Sequence, residues 1–147
     1  MSKIYYNSKI AKLVTFMADF ATIMLFGAVF TELSELPSRT KYHEGAHIEQ
    51  YQTLFSTGLA LMAGIMFTCF AFNVYGWWML WLTAIPVFMY YAWYLIEYAV
   101  RLIMYRDRDK AYRMIVFEQE AYDLENEYRK PCPERRSASS FSFWKYY

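Results

Sequence analysis

The most informative absence in this 147-residue chain is that of positive charge, because residues 42–100 contain neither lysine nor arginine. Cysteine is also scarce: Cys69 lies in an apolar run and Cys132 in a polar tail, which excludes a disulfide framework and a thiolate metal site. The net charge is only +1 and no basic stripe is interleaved with aromatic residues, so we expect no nucleic-acid partner. The aromatic residues that cluster between Phe55 and Tyr105 point instead to a lipid environment.

Within this window, two apolar runs are each long enough to cross the hydrocarbon core of a bilayer. The first run covers residues 54–72, the second covers residues 77–96, and a turn at residues 73–76 separates them. Pro86 is expected to kink the second helix without ending it, because neighbouring groups can satisfy the freed carbonyl. We therefore predict a transmembrane helical hairpin, with a buried helical pair in a soluble protein as the alternative.

The segment before the hairpin allows two interpretations. Residues 13–31 are long enough for a third span, but Asp19 lies near the middle, where a carboxylate is costly. Residues 22–31 carry the β-branched and aromatic side chains of a strand. We expect a strand or short sheet there, packed beside the functional site and preceded by a helix over residues 8–17. Pro37 and the polar residues after it supply turn and cap chemistry for the next helix.

Together these patterns predict a mainly α-helical membrane protein with a single domain over residues 1–147. Residues 1–41 are expected to form a helix and strand segment with a small β element. Residues 42–105 are expected to form a histidine-bearing helix that runs into the transmembrane hairpin. Residues 106–147 are expected to form a C-terminal helix and an aromatic tail, and the tail, residues 135–147, either anchors on the membrane surface or packs back on the domain.

Both histidines of the chain lie in the sequence His43-Glu44-Gly45-Ala46-His47, which has the H-E-x-x-H spacing of zinc hydrolases. Histidines four residues apart lie on the same face of a helix, so both imidazoles can bind one ion. Glu44 is then placed to take a proton from the metal-bound water as a general base. Gly45 weakens a helix by up to about 1 kcal/mol relative to alanine, which suggests close packing at this turn.

A hydrolytic zinc site usually has three protein ligands and keeps its fourth position for water. No histidine remains and the cysteines are badly placed, so we expect a carboxylate as the third ligand, from either Glu118 or Glu120. The predicted hairpin between the two motifs crosses the membrane an even number of times. The carboxylates therefore return to the side that carries the histidines, as a shared ion requires.

These motifs resemble those of small membrane-associated proteins of Bacteroidetes and related bacteria or their phages. The family has a strand similar to residues 27–31, an H-E-x-x-H-x-x-Q motif and an F-E-x-E-A motif. The matching residues here are His43, Glu44, His47, Gln50, Phe117, Glu118, Glu120 and Ala121. The resemblance implies a minimal zincin-like site of the glutamate-ligand (gluzincin) type, with Glu118 as the third zinc ligand and Glu120 beside it. Related motifs often place Asp or Asn four residues after the ligand to orient a histidine, and this chain has Tyr122 there.

The expected function is therefore a zinc metallopeptidase that hydrolyses peptide bonds of a peptide or protein substrate. Zn²⁺ is expected on His43, His47 and Glu118, with Glu44 as the general base. All 15 lysine and arginine residues lie outside the hairpin, so the positive-inside rule places the site at the cytoplasmic face of a bacterial inner membrane, in a multi-pass protein. The alternative is a non-catalytic membrane protein with a structural or degenerate metal site, acting through its hairpin in an assembly.

The roles of three further residues stay open. Gln50 lies one turn after His47 and either hydrogen-bonds within the site or makes a polar contact at the membrane boundary. Tyr122 and Arg113 are candidates for stabilising an oxyanion, with surface roles as the alternative.

Overall fold

A computed structural model of the chain describes residues 3–9, 11–12 and 21–147. The described residues form a mainly α-helical protein with two long apolar helices and a small three-stranded sheet, as predicted. The chain divides into two compact units. The terminal unit contains Met1–Gln50 and Val116–Tyr147, and the central unit contains Tyr51–Ile115.

The regular elements follow one another in chain order. The strands are β1 (Lys3–Tyr5), β2 (Thr22–Leu25) and β3 (Ala28–Thr31). The α-helices are α1 (Ser38–Ala71), α2 (Ala84–Tyr105), α3 (Arg108–Arg113) and α4 (Val116–Leu124). Short 3₁₀ helices lie at Trp77–Thr83, Glu127–Arg129, Cys132–Glu134 and Ser142–Tyr146.

The sheet of the terminal unit has the order β1-β3-β2, with β1 parallel and β2 antiparallel to β3. Phe26 and Gly27 join β2 to β3 with φ values of 50° and 76°, the positive values that a tight type I′ hairpin turn requires. Residues 22–31 therefore form a β-hairpin and not part of a third span. The predicted helix over residues 8–17 lies mostly outside the described residues, as does Asp19.

Helix α1 carries both the histidine motif and the first apolar run. It begins at Ser38, where the carbonyl of Pro37 accepts the N–H of Lys41 at 2.9 Å, and it continues without a break to Ala71. The helix therefore begins four residues before the predicted start at residue 42, and Ser38, Arg39 and Thr40, expected to supply turn and cap chemistry before it, lie in its first turn. The predicted close packing of Gly45 is wrong, because among the described residues a methyl group built there meets no atom within 4 Å beyond its own stretch of helix.

The second apolar run of the central unit begins as the 3₁₀ helix Trp77–Thr83 and continues as α2. Together they form one apolar helix of 29 residues, Trp77–Tyr105. Pro86 is the third residue of α2, and residues in the first turn have no intrahelical α-type partner for their N–H. As predicted, the helix continues past Pro86, and the proline lies close to the point where the 3₁₀ helix changes to α.

Both long helices are long and apolar enough to cross a membrane. In their most apolar windows only 11% and 17% of the residues are buried, whereas the core helix of a soluble protein is mostly buried. The large apolar side chains that α1, the 3₁₀ helix Trp77–Thr83 and α2 expose include Phe67, Phe70, Trp77, Trp81, Ile96 and Ile103. Exposed apolar surfaces of this extent are typical of proteins that contact a membrane or another protein.

Gly58 of α1 and Pro86 of α2 are in close contact within the central unit. A Cβ built on Gly58 would lie 2.6 Å from Pro86 Cα and 3.0 Å from Pro86 N, closer than real Cβ contacts. The atoms in the way belong to backbone, so they cannot move aside as a flexible side chain would. The missing side chain of Gly58 is therefore what allows the two helices to approach at this point.

We expect Gly58→Ala to destabilise the protein by about 1–3 kcal/mol, because the added methyl overpacks a backbone contact. Gly64→Ala is the matched control, since it adds the same methyl to the same helix where no atom lies within 4 Å. The measurement is thermal unfolding of the purified protein in detergent, where Gly58→Ala should lower Tm by several degrees. Equal Tm values for the two variants would contradict the contact.

The C-terminal tail packs back on the terminal unit, which settles the alternative left open by the sequence. Phe143 is fully buried, and its ring lies 4.8 Å from that of Phe117 on α4, edge to face. The backbone N–H of Ala138 donates to the Glu49 carboxylate of α1 at 2.7 Å. The tail thus holds α4 and the first turns of α1 at once.

Candidate metal centre

Three side chains from two helices of the terminal unit converge on one point. His43 Nε2 and His47 Nε2, both on α1, lie 3.3 Å apart. Glu118 of α4 places Oε2 at 3.4 Å from His43 Nε2 and Oε1 at 3.2 Å from His47 Nε2. The side chains are shielded from solvent, with exposed fractions of 14%, 8% and 2% in the order His43, His47, Glu118. The fold therefore brings together the ligand set expected from the sequence.

The donor atoms of these three residues lie close enough together to share a metal ion. With Zn–N and Zn–O bonds of about 2.0–2.1 Å, neighbouring ligand atoms of a tetrahedral site lie about 3.3 Å apart. Here the two Nε2 atoms lie 3.3 Å apart, and the distances of 3.4 and 3.2 Å run from them to two different oxygens of Glu118, of which a shared ion would bind one. Two imidazoles and one carboxylate are also the donor set of zinc sites that keep one position for water. The residues present could therefore hold a metal ion, and zinc is one of the ions that this donor set suits.

Local structure explains why Glu118 faces the histidines. Glu118 lies in the first turn of α4, directly after Phe117, and the two residues are 1% and 0% exposed. Phe117 is fixed by its contact with Phe143 of the tail. The contact between Phe117 and Phe143 anchors the first turn of α4. Glu118 lies in that same turn, so the contact helps to keep its carboxylate facing the histidines.

The charges of the pair His47–Glu118 depend on each other. Burial by itself would lower the pKa of His47. The charge of Glu118 and its hydrogen bond to the ring have the larger effect, and together they raise this pKa to about 9. Burial raises the pKa of Glu118, and the interactions with His47 and His43 outweigh this and hold it well below its ordinary value. The carboxylate thus remains negative in a buried place, and a metal ion that binds His47 would have to displace the proton held there.

Glu44 lies beside the converging atoms without being one of them. It is 9% exposed, and burial raises the pKa of its carboxyl group. The charges of His47 and His43 oppose this shift, and that of Glu118 adds to it. A buried carboxylate with a raised pKa binds a proton more readily at neutral pH, as a general base must.

Gln50 belongs to the site and not to the membrane boundary. Its side chain is fully buried, and its Oε1 lies 2.9 Å from His47 Nδ1. Its Nε2 donates to the Phe117 carbonyl at 3.0 Å and to the Glu120 carboxylate at 2.9 Å. Glu120, the other carboxylate considered as a ligand, therefore faces Gln50, whereas Glu118 faces the histidines.

The two candidates for oxyanion stabilisation have different positions. The Tyr122 ring lies 4.9 Å from the His43 ring, and the residue is 39% exposed, so its side chain borders both the site and solvent. Arg113 is an exposed residue at the end of α3 in the central unit. A role for Arg113 in the site stays a prediction.

Sequence reasoning did not assign the hydrogen-bonded chain His47–Gln50–Glu120. The only sequence signal for it is the spacing of three residues between His47 and Gln50, which places both on one helical face.

Comparisons with protein-family models, with curated proteins and with solved structures find no match to this chain. Its function therefore has to be inferred from the residues and their geometry.

Proposed function

We propose that this protein is a membrane-embedded zinc metallopeptidase that hydrolyses peptide bonds of a peptide or protein substrate. The proposal rests on the convergence of two imidazole nitrogens and one carboxylate at 3.2–3.4 Å. His43, His47 and Glu118 would hold the zinc ion. When bound there, zinc would polarise the peptide carbonyl as a Lewis acid and make water acidic enough to react at neutral pH.

Glu44 would act as the general base and then as the general acid. Its carboxylate would take a proton from the attacking water and pass it to the departing amine. Two features support this assignment: the side chain is 9% exposed, and burial raises its pKa. Because it adjoins His43 in the chain, it is carried on the same helical turn as the ligand atoms.

We also propose that the two apolar runs cross a bacterial inner membrane as a hairpin. The low burial of the apolar windows of both helices, 11% and 17%, supports this, as does the absence of positive charge from residues 42–100. The 15 lysine and arginine residues all precede or follow that window. By the positive-inside rule, the histidines and Glu118 would then lie at the cytoplasmic face.

The first test is the metal content of the purified protein. We expect about one zinc per chain, as for a site with three protein ligands, and peptide cleavage that a chelator stops and added zinc restores. His47→Ala should lose both, whereas Gln52→Ala, an exposed residue of the same helix, should keep both. Cleavage is assayed on a peptide library in detergent.

The outcomes separate the candidate functions. Protein without zinc, or with zinc that His47→Ala does not remove, would overturn the proposed metal site. Stoichiometric zinc without any chelator-sensitive cleavage would favour the non-catalytic alternative, in which the metal only fixes the fold.

A further inference from the structure

Gln50 is a fully buried polar side chain, and both the oxygen and the NH₂ group of its amide have hydrogen-bond partners. Its NH₂ group has two hydrogens and two acceptors: the Phe117 carbonyl at 3.0 Å and the Glu120 carboxylate at 2.9 Å. Its oxygen has His47 Nδ1 at 2.9 Å. Gln50 thus joins the second histidine of α1 to two residues of α4.

The orientation of this amide follows from its partners. A backbone carbonyl can only accept, so the group that faces the Phe117 oxygen has to be the NH₂ of Gln50. The reversed amide would put two acceptor oxygens about 3 Å apart, at a buried position where neither could be solvated. Oε1 therefore faces His47, and because it can only accept, His47 Nδ1 has to carry the hydrogen.

This hydrogen decides which nitrogen of His47 can bind a metal. A neutral imidazole with its hydrogen on Nδ1 has its lone pair on Nε2. His47 Nε2 is the atom that lies 3.3 Å from His43 Nε2 and 3.2 Å from Glu118 Oε1. Histidines that bind metals usually donate their other N–H to an acceptor that fixes the ring.

We propose that Gln50 is the positioning residue of His47: it fixes the tautomer and the orientation of the ring, so that Nε2 points at the ion. This inference rests on the metal site proposed above. Glu120 is the anchor of the arrangement. It is 1% exposed, its Oε2 accepts from Gln50, and its Oε1 has no hydrogen-bond partner among the described residues. The bond to Gln50 is thus what holds this buried carboxylate, and through it the amide.

The test compares Gln50→Leu with Gln52→Leu, the same change at an exposed position of the same helix. Leucine removes the acceptor for His47 at nearly constant volume. We expect Gln50→Leu to weaken zinc binding by about 10–100-fold in competition with a chelating dye, as removal of such a partner usually does. Gln52→Leu should leave zinc binding unchanged.

A second readout separates positioning from a merely structural role. Long-range ¹H–¹⁵N correlation spectra of the zinc-loaded protein should show a slowly exchanging Nδ1–H on His47, with Nε2 bound to metal. Gln50→Leu should lose this slow exchange, and Gln52→Leu should keep it. In the exchange variant Gln50→Glu/Glu120→Gln, residue 50 again accepts from His47, so both the N–H signal and zinc affinity within about tenfold of wild type should return.

The inference is overturned if Gln50→Leu keeps wild-type zinc affinity and the Nδ1–H signal, or if wild-type His47 binds zinc through Nδ1. It is also overturned if the exchange variant folds with wild-type Tm and lacks the signal. Neither readout needs cleavage, so a catalytically silent protein leaves the inference testable. If the wild-type protein binds no zinc, the proposed metal site fails, and this result is known before any variant is made.

Discussion

Glu44→Gln is expected to lower peptide cleavage by about 10²–10⁴-fold while the protein still binds zinc, because it removes a proton acceptor and little else. The amide has nearly the same size as the carboxylate. Glu44 is also not one of the three residues whose ligand atoms converge within 4.8 Å of one another. The experiment measures chelator-sensitive cleavage and metal content on the same preparation.

Glu49→Gln is the matched control for this change. Glu49 lies on the same helix and accepts the Ala138 N–H at 2.7 Å, which the oxygen of glutamine can also accept. We expect this variant to keep both activity and zinc. If Glu44→Gln keeps its activity with zinc bound, Glu44 is not the base. If it loses zinc as well, Glu44 takes part in metal binding and the proposed division of roles fails.

Features that depend on local geometry could be predicted from the sequence. Helical spacing alone places His43 and His47 on one face, and the turn before α1 follows from Pro37. A strand or short sheet follows from the side chains of residues 22–31, whereas the turn at Phe26 and Gly27 that makes it a hairpin was not predicted. Convergence of Glu118 with the histidines was expected from the even number of predicted crossings, which is a topological argument and not a local pattern.

Features that depend on distant contacts could not be predicted. Gly45 and Gly58 look alike in the sequence, but only Gly58 has backbone of another helix against it. The 3₁₀ geometry of the residues that precede Pro86 is likewise not visible in the sequence. The partners of Gln50 lie on α4, far along the chain, and the helical spacing that shows its face does not name them.

The C-terminal tail illustrates the same distinction. Its aromatic residues suit either a membrane surface or a protein core, and composition does not separate the two. The structure does, because Phe143 is fully buried against Phe117 and Ala138 is bonded to Glu49. This contact matters for the site, since Phe117 immediately precedes the carboxylate that faces the histidines.

Glu118→Ala is expected to remove zinc. Loss of a residue that only supports a ligand usually lowers metal affinity by up to about 100-fold, and loss of a ligand itself should lower zinc affinity by more than that. Its two carboxylate oxygens lie 3.4 and 3.2 Å from the Nε2 atoms of His43 and His47, and no other carboxylate is so placed among the described residues. Without it, two imidazole nitrogens remain, which is fewer than the three protein ligands of a hydrolytic zinc site. Competition with a chelating dye measures the loss.

Glu120→Gln is the control that decides between the two carboxylates of the F-E-x-E-A motif. Glu120 accepts from Gln50, and the oxygen of glutamine can still do so, which leaves zinc affinity within about tenfold of wild type. The reverse result, with zinc lost in Glu120→Gln and kept in Glu118→Ala, would make Glu120 the third ligand. It would also remove Gln50 from its proposed place, because the amide and the ion would then compete for the same carboxylate.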